Sequence, residues 1–323
     1  MTRFWAVLSC LVLAPAAVAA QAPSAAHSIV VTIDNDLIAI RGAGVPPDYD
    51  YTHGATVAIS WAGAPESLRR ALGRRHNCPG AEARHRGCIA TALAVGQRIY
   101  TPRHDAAEPV AGERPYAGWL YAAAMVRVVA RDYVRSLGAE VGVTGPPSLA
   151  EPVQNGVHRL LHNEAQRGWT HQLSAAPGFA VRYDEVRRSE WEVGRMGLAA
   201  IALRWGATAG TVVTGFAGGA EGTLGLRGDL PWSPSEPEVA RPTRLSVLVA
   251  FRQDAILHNV FVEGRGASGR AEPRPFVGQA ELGVRYRRRT VAFEYRHVVR
   301  GREYRAQPAA HRYGSVTVVV HGF

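Results

Sequence analysis

The sequence predicts an all-β protein, a transmembrane antiparallel β-barrel of about 12 strands with a short helix in an extracellular loop. Three observations predict it. The first is period-2 alternation of apolar with charged or small residues, clearest where Phe276, Gly278, Ala280, Leu282, Val284 and Tyr286 share one face and Gln279, Glu281, Gly283 and Arg285 share the other. The second is the lack, after the amino-terminal segment, of any run of 18 or more uncharged apolar residues. The nearest, Met196 to Ala220, is broken by Arg204 and diluted with glycine and threonine. The third is an export signal. Arg3 precedes an apolar core from Trp5 to Leu13, and Ala17-Val18-Ala19 and Ala20-Gln21 offer small-residue cleavage sites. Residues 1–20 are therefore expected to be a signal peptide and 21–323 an outer-membrane barrel domain.

Taken in order, strands are predicted near 28–38, 53–62, 89–101, 115–130, 133–144, 170–186, 190–207, 211–225, 243–260, 276–286, 290–300 and 312–323. That even number is what a bacterial single-chain barrel requires. In the fifth, Leu137, Ala139, Val141 and Val143 oppose Ser136, Gly138, Glu140 and Gly142. In the eleventh, Val291, Phe293, Tyr295 and Val299 oppose Glu294 and Arg296. The last strand alternates imperfectly, because His321 shares a face with Thr317, Val319 and Phe323. Alternation also suits a soluble sandwich; in a lipid-embedded barrel the apolar face turns outward and the polar face lines the lumen. The short joints at Arg131-Asp132 and Arg287 to Arg289 are assigned to the periplasmic end, together with both termini. A long connection from about Ala64 to Cys88 falls on that end too.

The formal charge is +10, and all 37 basic residues are arginine. Export excludes nucleic acid as the partner. Phosphorylated lipid head groups in the outer membrane match better, since a guanidinium binds phosphate bidentately. A monomer is expected. Of three cysteines, Cys10 leaves with the signal, and Cys78 and Cys88 are expected to pair in an oxidising compartment as a loop staple.

Three segments carry chemistry. Asp34-Asn35-Asp36 lies at the end of the first strand, where Asp34 and Asp36 share a face and Asn35 points the other way. A bulge or strand end would bring Asn35 and Asp36 into one site, and oxygen ligands of this kind suit Ca²⁺; the bland alternative is lumen-facing polar residues in water. Tyr51-Thr52-His53-Gly54 follows, with a hydroxyl at Thr52 and a glycine that permits close backbone approach. The third is Val143-Thr144-Gly145-Pro146 and the segment from Glu151 to Glu164. There Val153, Val157, Leu160 and Leu161 recur at helical spacing, and Gln154 and His158 share a helix face. Glu164 reaches the same place only where the helix ends or bends, which Gly168 permits.

Together these segments resemble the outer-membrane lipid A 3'-O-deacylase family. The shared text is Asn35-Asp36, Tyr51-Thr52-x-Gly54, Gln97-Arg98-Ile99-Tyr100-Thr101-Pro102, Glu113-Arg114-Pro115-Tyr116-Ala117-Gly118-Trp119, Gly142 to Pro146, and Gln154-Asn155-x-x-His158-Arg159 with Glu164 and Trp169. The likeness is strongest from about residue 30 to 175 and thin beyond 200. It implies a twelve-stranded barrel and Ca²⁺-dependent hydrolysis of the 3'-linked acyl ester of lipid A in the outer leaflet. It further implies His158 as catalytic base, Gln154, Thr52 and Asn35 beside it, and Asp36, Glu164 and Asn35 as metal ligands. The chain departs from the family in having no lysine, so that Arg103 would replace a substrate-binding lysine, and in Asp34 and His53 beside the motifs. Arg114 and Arg159 are candidates for clamping the glucosamine phosphates. A non-enzymatic porin or scaffold, and a phospholipase using the same chemistry, are the competing readings.

Overall fold

The computed structural model describes residues 27–40, 49–71, 87–194, 197–226, 245–264 and 271–322. The signal-peptide assignment, Cys78 and Phe323 lie outside them. Twelve strands follow in order: β1 (His27–Asn35), β2 (Asp50–Ala62), β3 (Cys88–Thr101), β4 (Ala117–Val129), β5 (Tyr133–Thr144), β6 (Ala176–Val193), β7 (Gly197–Gly210), β8 (Val213–Leu226), β9 (Leu245–Asn259), β10 (Phe276–Arg288), β11 (Val291–Arg300) and β12 (His311–His321). Each pairs antiparallel with its neighbours in sequence, and β1 closes on β12, so no edge is left unpaired. No helix among the described residues is long and apolar enough to cross a membrane.

The alternation sorts as an inverted, lipid-facing barrel. Leu93, Val95, Leu137, Val141, Phe251 and Leu282 are exposed on the outer surface. The alternate positions line the lumen with ion pairs. Arg98 grips Glu140 through both guanidinium ends at 3.0 and 2.9 Å, and Arg296 reaches Glu281, Glu221 and Glu294 within 3.0 Å. Each of these four carboxylates has a cationic partner, as a charge removed from bulk water requires. The imperfect last strand resolves in the same terms. Thr317 bonds Thr32 across the seam at 3.1 Å, and His321 Nδ1 lies 2.8 Å from Ser28 Oγ, so the set containing His321 faces inward. Val316, Val318 and Val320 therefore take the outward parity.

The Arg131-Asp132 and 289–290 turns lie at the end where β1 starts and β12 finishes, as expected. The first, sixth and seventh strands differ most from the sequence reading. β1 stops at Asn35 rather than 38, because residues 36–38 wind into a 3-10 turn. The sixth strand runs to Val193 and not 186, and the seventh starts at Gly197 and not 190, while 170–171, assigned to the start of the sixth, belong to a 3-10 turn at Gly168–His171 in the preceding loop. The reason is compositional: Arg187-Arg188-Ser189-Glu190 reads as a turn, yet these residues pair in register with β7, Arg187 bonding Glu185 at 2.8 Å. Cys88 is disulfide-bonded.

Candidate functional site

The upper ends of β1 to β4 form one contiguous third of the wall, and the candidate residues gather on it. On β1, Asn35 takes the outward parity of Ile29, whereas Asp34 turns into the lumen and accepts a hydrogen bond from Tyr51 Oη at 2.8 Å. Asp34 lines a polar cavity of about 310 Å³ inside the barrel, with Arg98, Tyr100, Arg300 and Tyr313 among its walls. Asn35 ends the strand and caps the 3-10 turn, its Oδ1 accepting from Leu37 N–H at 2.7 Å. Its Nδ2 donates to His53 Nδ1 at 3.4 Å, across the register pair Asn35 with His53. Asp36, first residue of the turn, is buried.

The second strand carries a bulge here. Tyr51 pairs with Tyr100 and His53 with Ile99, which leaves Thr52 as the extra residue. The bulge turns Tyr51 into the lumen and sets Thr52 Oγ1, fully buried, 2.7 Å from Thr101 Oγ1. Gly54 is required at its position: a Cβ would collide with Tyr51 Oη.

The predicted loop helix forms as Ala150–Leu161, entered through a 3-10 turn at Pro146–Ser148. It lies against the outer face of the wall. Gln97, on the outward side of β3, donates from Nε2 to Ser148 O at 2.6 Å. Ile99 clusters with Tyr116, Ala150 and Trp169. Gly118 of β4 lets the helix start sit down, since any Cβ there would meet Ser148 Oγ and Ala150 Cβ. Ala150, Gln154 and His158 form the buried face, four residues apart, and so point at the wall. The helix stops at His162, left-handed at φ 62°, rather than at Gly168. That turn brings the Glu164 carbonyl to His158 Nδ1 at 2.5 Å. A carbonyl only accepts, so Nδ1 carries the proton and Nε2 is the basic nitrogen of the neutral ring. The Glu164 side chain itself is exposed. The Gln154 amide is buried with neither its oxygen nor its nitrogen engaged by a protein group, the mark of a side chain that bonds water or ligand. Asn155 Oδ1 accepts from Gln166 N at 2.9 Å and closes the loop that follows.

The structure thus puts Asn35, Thr52 and the Gln154–His158 face on adjoining strands of one outer surface, not across the cylinder from each other. Among the described residues no three His, Cys, Asp or Glu side chains are gathered as a metal cage. Asp36 is a buried acid of this region, as is Asp50 at the start of β2. Arg114 is a correction: it is fully buried, bonded to Glu303 Oε2 at 2.9 Å and to Phe261 O at 3.3 Å, and lies 3.6 Å from Asp50. It is unavailable as a phosphate clamp, whereas Arg159 is exposed. Sequence reading passed over Gln97, Ser148 and Gly118 as site-building residues. The parity of β3 and β4 was the signal that would have found Gln97 and Gly118; Ser148, in the turn before the helix, has no such signal.

A family model described as outer membrane protein LpxR matches residues 5–321. The fold is similar to that of LpxR from Salmonella typhimurium, at 17% identity and a TM-score of 0.73, over 91% of this chain and 99% of that one. Weaker likenesses include the translocator domain of the autotransporter NalP from Neisseria meningitidis (11% identity, TM-score 0.41, 99% and 93% covered) and the β domain of the Bordetella autotransporter BrkA (8%, 0.44, 93% and 99%). No curated protein matches the sequence. The family match over nearly the whole length, joined to the shared twelve-stranded architecture, means that this chain belongs to the LpxR family of outer membrane proteins.

Proposed function

We propose that the protein is a lipid A deacylase, a carboxylic ester hydrolase that cleaves the 3'-linked acyl ester of lipopolysaccharide lipid A as a monomer in the outer leaflet. The observation that carries this reading is the inward face of the loop helix, where His158 and Gln154 are held against the outer wall of a membrane barrel. A hydrolase of membrane lipid needs its base on that surface, because the substrate lies outside the barrel and not in its lumen.

His158 Nε2 takes a proton from a water molecule as that water attacks the ester carbonyl. The imidazolium, steadied by the Glu164 carbonyl on Nδ1, then returns the proton to the departing sugar alkoxide. The products are a fatty acid and a free sugar hydroxyl. Gln154 orients the water through its otherwise unengaged amide. Thr52 and Asn35 hold the rim opposite. Ca²⁺ supplies electrophilic polarisation of the carbonyl when bound. Asp36 suits it as a buried hard-oxygen ligand, with Asn35 and Glu164 as the further ligands that the resemblance implies. Since a calcium ion takes six to eight oxygens, water and substrate would complete the set. The porin reading is disfavoured by the ion pairs Arg98–Glu140, Arg296–Glu281 and Arg300–Asp254, which narrow the lumen around its cavity of about 310 Å³.

Purified protein is incubated with lipid A, and separately with glycerophospholipid, each with Ca²⁺ or chelator, and the products are weighed by mass spectrometry. The proposal expects loss of one acyl chain from lipid A only, and only with the ion. Release from phospholipid alone would turn the reading into a phospholipase, and release from neither would leave a scaffold.

A further inference from the structure

The loop helix is inside out by the standard of a soluble protein. A helix on a water-soluble fold buries its apolar side and shows water its polar side. Here the buried side holds Gln154 and His158, while Val153 and Leu160, on one flank, are 37% and 48% exposed. Pro152 and Gly156 continue that flank without a charge, and nothing lies within 4 Å of a Cβ built on Gly156. Leu149, just before the helix, is 52% exposed. The third side, Glu151 and Arg159, is charged and exposed. A helix with a wall side, an uncharged side and a charged side has three different surroundings.

The position of the helix says what the uncharged side meets. It is fastened to the outward side of β3 at Gln97, and Val95, two residues below on the same side, is 58% exposed in the lipid-facing belt. At about 3.3 Å per residue, the Gln97 fastening point lies roughly 7 Å above Val95. The uncharged, exposed flank therefore belongs to a helix seated just above the membrane-facing surface of β3. We infer that the Leu149–Val153–Leu160 flank is an interfacial membrane contact, immersed in the acyl chains of the lipid layer while Glu151 and Arg159 remain in water. This rests on the outer-membrane placement and not on the hydrolytic reading.

The test labels Leu160→Cys and, separately, Arg159→Cys with a nitroxide, each in nanodiscs of phosphatidylethanolamine and phosphatidylglycerol holding one protein copy. Label background is set with the unsubstituted protein, and folding is checked by the heat-shifted band on a gel. Oxygen partitions into acyl chains and a nickel chelate into water. A several-fold higher oxygen-to-nickel relaxation ratio at Leu160 than at Arg159 is expected. Val153→Cys against Glu151→Cys repeats the comparison on independent positions. Equal ratios within both pairs would overturn the inference. So would shielding of Leu160 that appears only with two copies per disc, which would make this flank a contact between chains. Neither readout depends on whether lipid A is cleaved.

Discussion

His158 is placed by two backbone events, a helix that turns it toward the wall and a left-handed His162 that returns the Glu164 carbonyl to its ring. His158→Ala removes a base without touching the barrel, so it should fold normally and lose roughly 10²- to 10⁴-fold in kcat. Retained turnover, measured as fatty acid released, would take His158 out of the mechanism. Gln154→Ala is a different case. It removes a buried amide with no protein partner, so stability should hold or rise while kcat falls. A melting temperature lowered together with the rate would instead mean that the amide is structural. The motif spacing was legible at this scale, since Gln154 and His158 at four residues apart had to share a face. The identity of the group on Nδ1 was not, because the carbonyl belongs to Glu164, a residue singled out for its side chain.

Among the elements, the loop helix stays seated because β4 presents a glycine under it. Gly118→Ala places a methyl where Ser148 and Ala150 now lie, and overpacking of this kind costs about 1–3 kcal/mol. The helix should lift while the twelve strands remain. Activity lost with an unchanged heat-shifted band, and faster amide exchange over 148–161, is the expected pattern. The loops above the lumen are tied by Arg114, which joins the β3–β4 connection to Glu303 of the β11–β12 connection and to Asp50. Arg114→Ala leaves buried carboxylates facing each other and should cost about 3–5 kcal/mol, read as a lower melting temperature. Burial pushes the Glu303 carboxyl up, but Arg300 and Arg114 outweigh it and hold it at about 2, against an ordinary 4.5. A depressed carboxylate stabilises the fold fully above its unfolded value. That share of stability should therefore be present above pH 4.5 and drain away as pH falls toward 2. Protease nicking of the 301–310 loop across that range is the measurement. Nicking that is independent of pH would mean that Glu303 does not tie the loops.

Over the whole molecule, the exposed belt and the charged lumen make the lipid the solvent of the outer face. Phe251 is 62% exposed near the middle of β9. Phe251→Arg should cost about 2–4 kcal/mol in bilayers. The same substitution on a soluble sandwich would be nearly silent, so folding titrations in lipid vesicles decide between them. The strands themselves were legible almost to the residue wherever alternation was clean, as in β5, β10 and β11. Where charges interrupt it, as at Arg187-Arg188, the pattern was cut short, because a turn and a paired polar stretch look alike when only composition is visible.

The sequence by itself determined about twelve strands and the two alternating sides of each, since period-2 alternation is a local property that every residue either keeps or breaks; the pairing of β1 with β12 that closes them came from the structure. The sequence also determined the helix and its Gln154–His158 face, for the same reason at a different period. Only the tertiary structure decided that this helix folds down the outside of the wall, that Asp34 faces the lumen while Asn35 faces out, and that Arg114 is locked in the mouth of the barrel. Those outcomes depend on a bulge at Thr52, a glycine at 118 and ion pairs between residues as far apart as 114 and 303. Contacts across such separations are fixed by packing, and no periodicity along the chain records them.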